Sequence, residues 1–403
     1  MKKITLISIL TAITFIYLNA QVTITINTSQ KKQTVRGMGC QDDLEGPGGT
    51  NDDLLYDLGA SSYRAFAGDQ TESSPWTEAV NDNADPNVLD LSKFNDKTGA
   101  SLTAYKKAAA RGCVFYMTIG TPPAWMKTNN SAVNGGSLRT DMTSAAYEEF
   151  GEFVLGVTKK FKQQIGIDLF AVSIQNEPEF PEPYYSCVYT GTSYRDAAKS
   201  VITKYQANSI PTKLAYGEQT FMQGHVVSWA KLGNDDPLLK DNIFALAVHT
   251  YDSDPFGGGD GEPYQWAAYY NESVRVSPVK EVWMTEGGTT GKGLDNALGA
   301  AFAFYKAFRY GGATLFSHRY LDRPDAPGEA AKKSFYRKLV SISDEERNRF
   351  KQGVLKLGRQ QIMTVAEKYF DKSAPKSVAV ISGEEKLKIS NEKMGNPLNL
   401  YRI

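Results

Sequence analysis

Two glutamates stand where a carboxylate can do chemistry. The strand-like run Leu169-Phe170-Ala171-Val172-Ser173-Ile174-Gln175 stops at Asn176-Glu177-Pro178. A second run, Glu281-Val282-Trp283-Met284-Thr285, stops at Glu286-Gly287-Gly288. An ionisable group at the end of a buried strand, beside an amide and ahead of a strand-ending proline, suits catalysis better than packing. Retaining glycoside hydrolysis needs two such carboxyls, roughly 5–5.5 Å apart. At an effective dielectric of about 20, two charges at that distance repel by roughly 3 kcal/mol, or about two pKa units. One carboxyl of the pair is therefore expected to keep its proton, so one serves as acid and the other as nucleophile. Asn176 is placed to hydrogen-bond a sugar 2-hydroxyl, which makes its neighbour Glu177 the expected acid. Arg64, near the end of another strand-like run, is placed to keep Glu286 ionised, which makes Glu286 the expected nucleophile.

The elements that must position this pair follow from periodicity. Apolar strand-like runs occur at Val35 to Gly39, Ser61 to Phe66, Val114 to Gly120 and Leu169 to Gln175. Four more follow at Lys213 to Gly217, Ile243 to Thr250, Val282 to Thr285 and Ala313 to Ser317. They are too apolar on both faces for a half-exposed sheet, which points to parallel strands covered by helices. Helices are expected from Ser101 to Arg111, from Ser144 with the stripe Tyr147, Phe150, Phe153, Val154, Val157 and Phe161, from Ser193 to Asn208, and from Asp295 to Arg309. Eight strands in this alternation predict an α/β chain folded as a (β/α)8 barrel. A doubly wound sheet would announce a nucleotide loop, and neither Gly-x-Gly-x-x-Gly nor a phosphate loop occurs.

In a barrel, strand-end carboxylates share one mouth. Glu218, at the end of the fifth strand, is then a third carboxylate there, to tune Glu177, bind a hydroxyl or make a structural salt bridge. His318 and Arg319, ending the eighth, are candidate substrate contacts. The loops from Asn81 to Asn87 and from Gly257 to Gly261 are rich in Asx and Gly, but they lack the full calcium-loop pattern and read as turns.

Met1-Lys2-Lys3 is basic, Ile4 to Leu18 is apolar, and Leu18-Asn19-Ala20 offers small residues. This reads as a signal peptide over residues 1–20, cleaved after Ala20, since the apolar stretch is short for a membrane span. The mature chain is expected to be secreted or periplasmic, monomeric and without a membrane span. About 380 residues remain, enough for one large domain with additions. The barrel, with an N-terminal strand Val22 to Ile26, is placed in residues 21–322. Pro324, Pro327 and Gly328 then break the chain. Residues 323–403 read as a helical extension, Glu329 to Tyr369, with two short strands. The 45 basic and 45 acidic residues balance, which gives no electrostatic case for nucleic acid or anionic lipid. Three scattered cysteines, Cys40, Cys113 and Cys187, have no metal spacing and allow at most one disulfide. Cys113 lies beside an apolar run and is expected to be a buried thiol. Serine hydrolase, zinc protease and thiol redox motifs do not occur.

Several segments resemble glycoside hydrolase family 30. Thr121-Pro122-Pro123-Ala124-Trp125-Met126-Lys127-Thr128, followed by Gly135-Gly136-Ser137-Leu138, looks like that family's loop after the third strand. Ala171 to Pro178 is similar to its acid/base strand, Val282 to Glu286 to its nucleophile strand, and Val248-His249-Thr250-Tyr251 to its sixth-strand motif. The likeness covers approximately Val22 to His318. It implies a clan A retaining enzyme on a (β/α)8 barrel with a side β-structure, no cofactor, Glu177 as acid/base and Glu286 as nucleophile. It further implies that His249 and Tyr251 line the site, and that Trp125 is either an aromatic platform for a sugar ring or a wedge under its loop. Two features depart from the family pattern. Phe316-Ser317-His318-Arg319-Tyr320 stands where a tryptophan is usual, and the C-terminus offers helix rather than many strands, so the side β-structure is expected to be reduced or atypical. The expected function is a secreted, endo-acting, retaining β-glycoside hydrolase cleaving xylan, β-1,6-glucan or β-1,6-galactan. The alternatives are an exo-acting β-glycosidase and a catalytically inactive glycan-binding barrel.

Overall fold

The computed structural model describes residues 29, 32–41, 59–68, 74–139, 146–222, 224–251, 261–287 and 294–318. The signal peptide, the Val22 to Ile26 strand and the C-terminal extension with its two strands lie outside the described residues. Contacts divide the chain into two units, Met1–Ala326 and Pro327–Ile403, and the described residues all belong to the first.

Eight parallel strands close into a barrel in sequence order, each pairing with the next and the last with the first. They are β1 (Gly37–Gln41), β2 (Ser62–Ala67), β3 (Val114–Ile119), β4 (Ala171–Ser173), β5 (Lys213–Gln219), β6 (Ile243–His249), β7 (Glu281–Glu286) and β8 (Leu315–His318). The protein is a (β/α)8 barrel. From β2 onward a helix follows each strand up to β7. These are α1 (Gly99–Ala110), α2 (Ala146–Ile165), α3 (Gly191–Ala207), α4 (Gly224–Asp235), α5 (Pro263–Val276) and α6 (Leu294–Arg309).

Side-chain size explains how the barrel fills. Ala171, Ala215, Ala245 and Ala247 on β4, β5 and β6 leave room for Tyr116 and Trp283, whose rings meet at 5.5 Å, and Leu315 completes the layer. Small residues on one side of a closed sheet thus accommodate large ones on the other. Below them Phe170 and Phe244 pack edge to face, and the Arg36 guanidinium lies 4.6 and 4.8 Å from their ring centres while it pairs with Glu281. A second arginine, Arg64, occupies the opposite, C-terminal end of the interior.

Outside the strands, the α2 stripe packs as its spacing predicts. Phe150, Phe153, Val154, Val157 and Phe161 are fully buried, while Tyr147 is half-buried. The chain from 74 to 98 makes an excursion over α1 and α2. Trp76 sits edge-on to Tyr105 and Phe161 and donates its indole N–H to Gln164 at 2.7 Å. Phe94 stacks on Phe153, and Gly156 makes the room: a Cβ there would lie 2.1 Å from the Phe94 ring.

Some local expectations need correction. Ser101 does not cap α1; Thr98 holds the N-cap position, and the Ser101 hydroxyl donates back to the Thr98 carbonyl. α3 begins before Ser193, because Thr190 and Ser193 form a reciprocal capping box. The helices α4 and α5 were not among the expected elements, although Glu262, Pro263 and Gln265 carry a start signal for α5: a capping box with proline in the first turn. Cys113 and Cys187 are free, buried thiols.

Candidate active site

Strand ends on the C-terminal face bring the carboxylates together. After β4 the chain leaves its ladder, and Asn176 N–H donates to the Ile119 carbonyl on β3 at 2.8 Å. Glu177 N–H donates to the Glu218 carbonyl on β5 at 3.2 Å. Glu177 and Glu218 both adopt left-handed backbone, with φ of 45° and 70°. Non-glycine residues in that region carry strain of about 1 kcal/mol or more and concentrate at functional sites. A bulge between Val248 and His249 sets His249 opposite Glu286 in the β6–β7 register.

Arg64 organises the centre. Its side chain is fully buried, and each face of the guanidinium fork finds an acceptor. Nε donates to the Thr118 hydroxyl at 2.8 Å, Nη1 to Glu286 Oε2, and Nη2 to Asn176 Oδ1 at 2.8 Å and Glu218 Oε2 at 2.7 Å. Burial works against this charge, but Glu218 and Glu286 outweigh it and raise the Arg64 pKa. The guanidinium also lies 4.5 Å from the Phe66 ring centre. Accepting from Arg64 fixes the amide of Asn176, so its nitrogen is the end left to donate to a hydroxyl.

The two strand-end glutamates have unequal partners. Glu286 accepts from Arg64 and from the Tyr251 hydroxyl. Glu177 faces His249 Nδ1 at 3.1 Å and the Tyr184 hydroxyl at 3.3 Å. His249 Nε2 lies 3.3 Å from Arg64 Nη2, whose two N–H groups already serve Asn176 and Glu218. Burial lowers the His249 pKa, while Glu286 and the bond to Glu177 more than offset it and leave it raised. A carboxylate oxygen of Glu177, one of Glu286 and a ring nitrogen of His249 all lie within 4.8 Å of one another. Such a trio has the donors for a divalent cation, but the Arg64 guanidinium, bonded to Glu286 and beside His249, already supplies positive charge and would repel one.

The structure thus gathers Arg64, Asn176, Glu177, Glu218, His249, Tyr251 and Glu286 into one cluster. Glu218 is fully buried beneath Arg64 and also accepts the Thr118 hydroxyl at 3.0 Å. Trp125, in the 3-10 turn Ala124–Met126 after β3, is half-buried against the main core. His318 ends β8, and its side chain lies outside the described residues, as does Arg319. Thr118 and Tyr184 are additions to the sequence-derived set. Thr118 sits inward on β3 like any core threonine, and Tyr184 lies in a loop, so neither carried a signal.

Arg64→Met tests the centre. It leaves the buried Glu218 and Glu286 without their cation, and breaking such a pair costs about 3–5 kcal/mol. A clearly lower urea midpoint is expected; a midpoint equal to the wild type's would show that the cluster does not depend on Arg64.

Solved structures of known proteins share this architecture. A glycoside hydrolase family 30 subfamily 8 xylanase from Clostridium acetobutylicum matches with a TM-score of 0.54 at 22% identity, over 74% of this chain and 67% of its own. A family 30 endoxylanase from Clostridium papyrosolvens matches with a TM-score of 0.55 at 22% identity, over 74% and 69%. The fold is similar to that of glycoside hydrolase family 30 enzymes. An endo-β-1,6-glucanase is similar too, with a TM-score of 0.54 at 17% identity, over 74% of this chain and 70% of its own. This chain therefore spans about two thirds of the length of these neighbours. No family model matches the sequence, and a search of curated proteins finds no match.

Proposed function

We propose that the protein is a retaining β-glycoside hydrolase, with Glu286 as nucleophile and Glu177 as acid/base. The observation that carries this reading is two buried carboxyls within 4.8 Å, one held by a guanidinium and the other not. Spacing of this order leaves no room for the water that inverting enzymes place between their carboxyls, which stand roughly 6.5–9.5 Å apart. It also argues against a glycan-binding barrel without activity, which has no need of a matched pair.

The chemistry runs in two displacements. Glu286 attacks the anomeric carbon while Glu177 gives its proton to the leaving oxygen, and a glycosyl ester forms on Glu286 as the glycosidic C–O bond breaks. Glu177, now a carboxylate, takes a proton from water; that water attacks the same carbon and frees Glu286. Arg64 and the Tyr251 hydroxyl hold the nucleophile ionised and oriented. The Tyr184 hydroxyl suits a group that changes state between steps, because it can turn to donate to Glu177 or to accept from it. The Asn176 amide donates to the 2-hydroxyl of the cleaved sugar. Arg64 and Glu218, fully buried, act by positioning rather than by touching substrate.

For substrate we propose a β-linked polysaccharide cleaved internally, with xylan, β-1,6-glucan and β-1,6-galactan as the set to screen. Two structural neighbours are named as xylanases and one as an endo-β-1,6-glucanase. Export through a signal peptide ending at Ala20 fits a polymeric substrate outside the cell. No described helix is long and apolar enough to cross a membrane. Proton NMR of the first turnovers on whichever glycan is cut tests the mechanism. The β-anomer should appear first and then mutarotate; an initial α-signal would mean a single displacement and end the assignment.

A further inference from the structure

The end of the barrel opposite the catalytic mouth holds a cavity of about 200 Å³ that the chemistry above does not use. It opens where β5 and β6 begin and where the turn 277–280 leads into β7. Ile243 and Phe244 form part of its wall, and Phe244 is one of the two rings beside the Arg36 guanidinium. A lysine stands at each of three strand entrances. Lys213 opens β5, Lys240 lies in the 3-10 turn Leu239–Asp241 before β6, and Lys280 directly precedes β7. Asp241 is the one carboxylate among the described lining residues, so three positive charges against one negative leave a surplus of two.

A separate observation concerns Lys280. Lysine is almost never buried unless it is paired, yet Lys280 is only 7% exposed. Its ammonium carries three N–H groups, which find one acceptor among the described residues, Asn234 Oδ1 at 2.7 Å, and no carboxylate. Asn234 is held in turn by α5, donating to the Glu272 carbonyl and to Glu272 Oε1, both at 3.0 Å. Glu272 is taken by Arg275, which also binds Asp235, so the acidic groups behind Lys280 serve another cation. Burial pulls the Lys280 pKa down to about 8, and the pull of Asp241 and Glu272 does not cancel it. Lys213 and Lys240 make no ion pair among the described residues either. A buried cation without a counter-charge is costly, and an anion entering the cavity relieves that cost.

We propose that this cavity binds a tetrahedral dianion, a phosphate or sulfate group, between Lys213, Lys240 and Lys280. Two negative charges match the surplus of two. Ammonium groups act as point charges on phosphate, whereas a planar carboxylate is best met by a guanidinium fork, which no lining residue supplies. The Ser277 hydroxyl, also in the lining, is a neutral donor for a further oxygen. An anion held there ties together the entrances of three adjacent strands. The sequence hides the site because its lysines stand before three different strands and meet only when the barrel closes.

The test uses the purified full-length protein in chloride buffer of fixed ionic strength, with sulfate, inorganic phosphate, glucose 6-phosphate or acetate replacing part of the chloride. At about 10 mM dianion the thermal midpoint should rise by about 2 °C or more, and titration calorimetry should show saturable binding. A stronger response to glucose 6-phosphate than to phosphate assigns a group carried on a sugar, and equal responses assign the free ion; both support the site. Sulfate should bind about tenfold more weakly at about pH 9 than at about pH 7 and take up a proton there, because Lys280 must regain its charge. Lys280→Met should abolish the response. If that variant does not fold, Lys213→Gln with Lys240→Gln, both at exposed positions, replaces it and should weaken sulfate binding at least tenfold. A wild-type midpoint unmoved by the dianions, with no heat of binding, overturns the proposal. So does an equal response to acetate, or an undiminished response in the variant. None of these readouts depends on glycan cleavage, so their failure and that of the glycosidase reading are separate results.

Discussion

With Glu286 as the proposed nucleophile, Glu286→Ala is expected to lower kcat/KM by on the order of 10⁴–10⁶-fold, because it removes the atom that would form the bond to the sugar. The loss should lie in kcat, since Glu286 is held within the protein by Arg64 and Tyr251 before substrate arrives. Alanine also opens a space beside the anomeric carbon. An added anion such as azide can fill it and attack directly, so a β-glycoside should give the α-glycosyl azide by one inversion. Product analysis by NMR checks both halves. Wild-type turnover in the variant, or azide capture with the β-configuration, would remove Glu286 from the nucleophile's role. Thermal midpoints of variant and wild type guard against reading a folding defect as chemistry.

Glu177→Ala should produce a different pattern. General acid catalysis contributes about 10²–10⁴-fold, and only where the leaving group needs a proton. Natural glycan linkages should therefore lose that factor, while a dinitrophenyl glycoside, whose phenolate leaves unaided, should form the glycosyl ester at nearly the normal rate. Hydrolysis of the ester then lacks its base. A burst of phenolate followed by slow turnover is the expected trace, and azide, which needs no base, should accelerate the slow phase and yield the β-azide. Equal slowing on both substrates without a burst would place the acid elsewhere in the mouth.

Much of this site was readable because chemistry and topology coincide in the sequence. Asn176-Glu177-Pro178 and Glu286-Gly287 mark strand ends, and the eight apolar runs agree with the observed strands to within about two residues at most boundaries. β4 is shortened most: the run reaches from Leu169 to Gln175, yet only Ala171–Ser173 pairs as strand, and the chain then turns to the left-handed backbone of Glu177. Helices α4 and α5 carry a weak sequence signal because their apolar stripes are diluted, by Gly224 and Gly233 in the first and by Asn271, Glu272 and Arg275 in the second. Arg64 was legible as a cation near a strand end, but not as the hub of four acceptors, since those acceptors come from β3, β5, β7 and the corner after β4. Convergence of that kind is a property of closure, which no single segment encodes.

The bond from Glu177 N–H to the Glu218 carbonyl has a further consequence. Both ends of it sit on left-handed backbone, so Glu177 takes its position from the neighbouring strand as much as from its own. For loop exchange this makes the β4 and β5 exits one transplantable part. A graft that rebuilds the turn after Gly217 shifts Glu177 even when every residue from Asn176 to Pro178 is retained. Donor segments for altering specificity should come in matched pairs across these two exits, or from the far side of the mouth, where Glu177 has no share in the backbone.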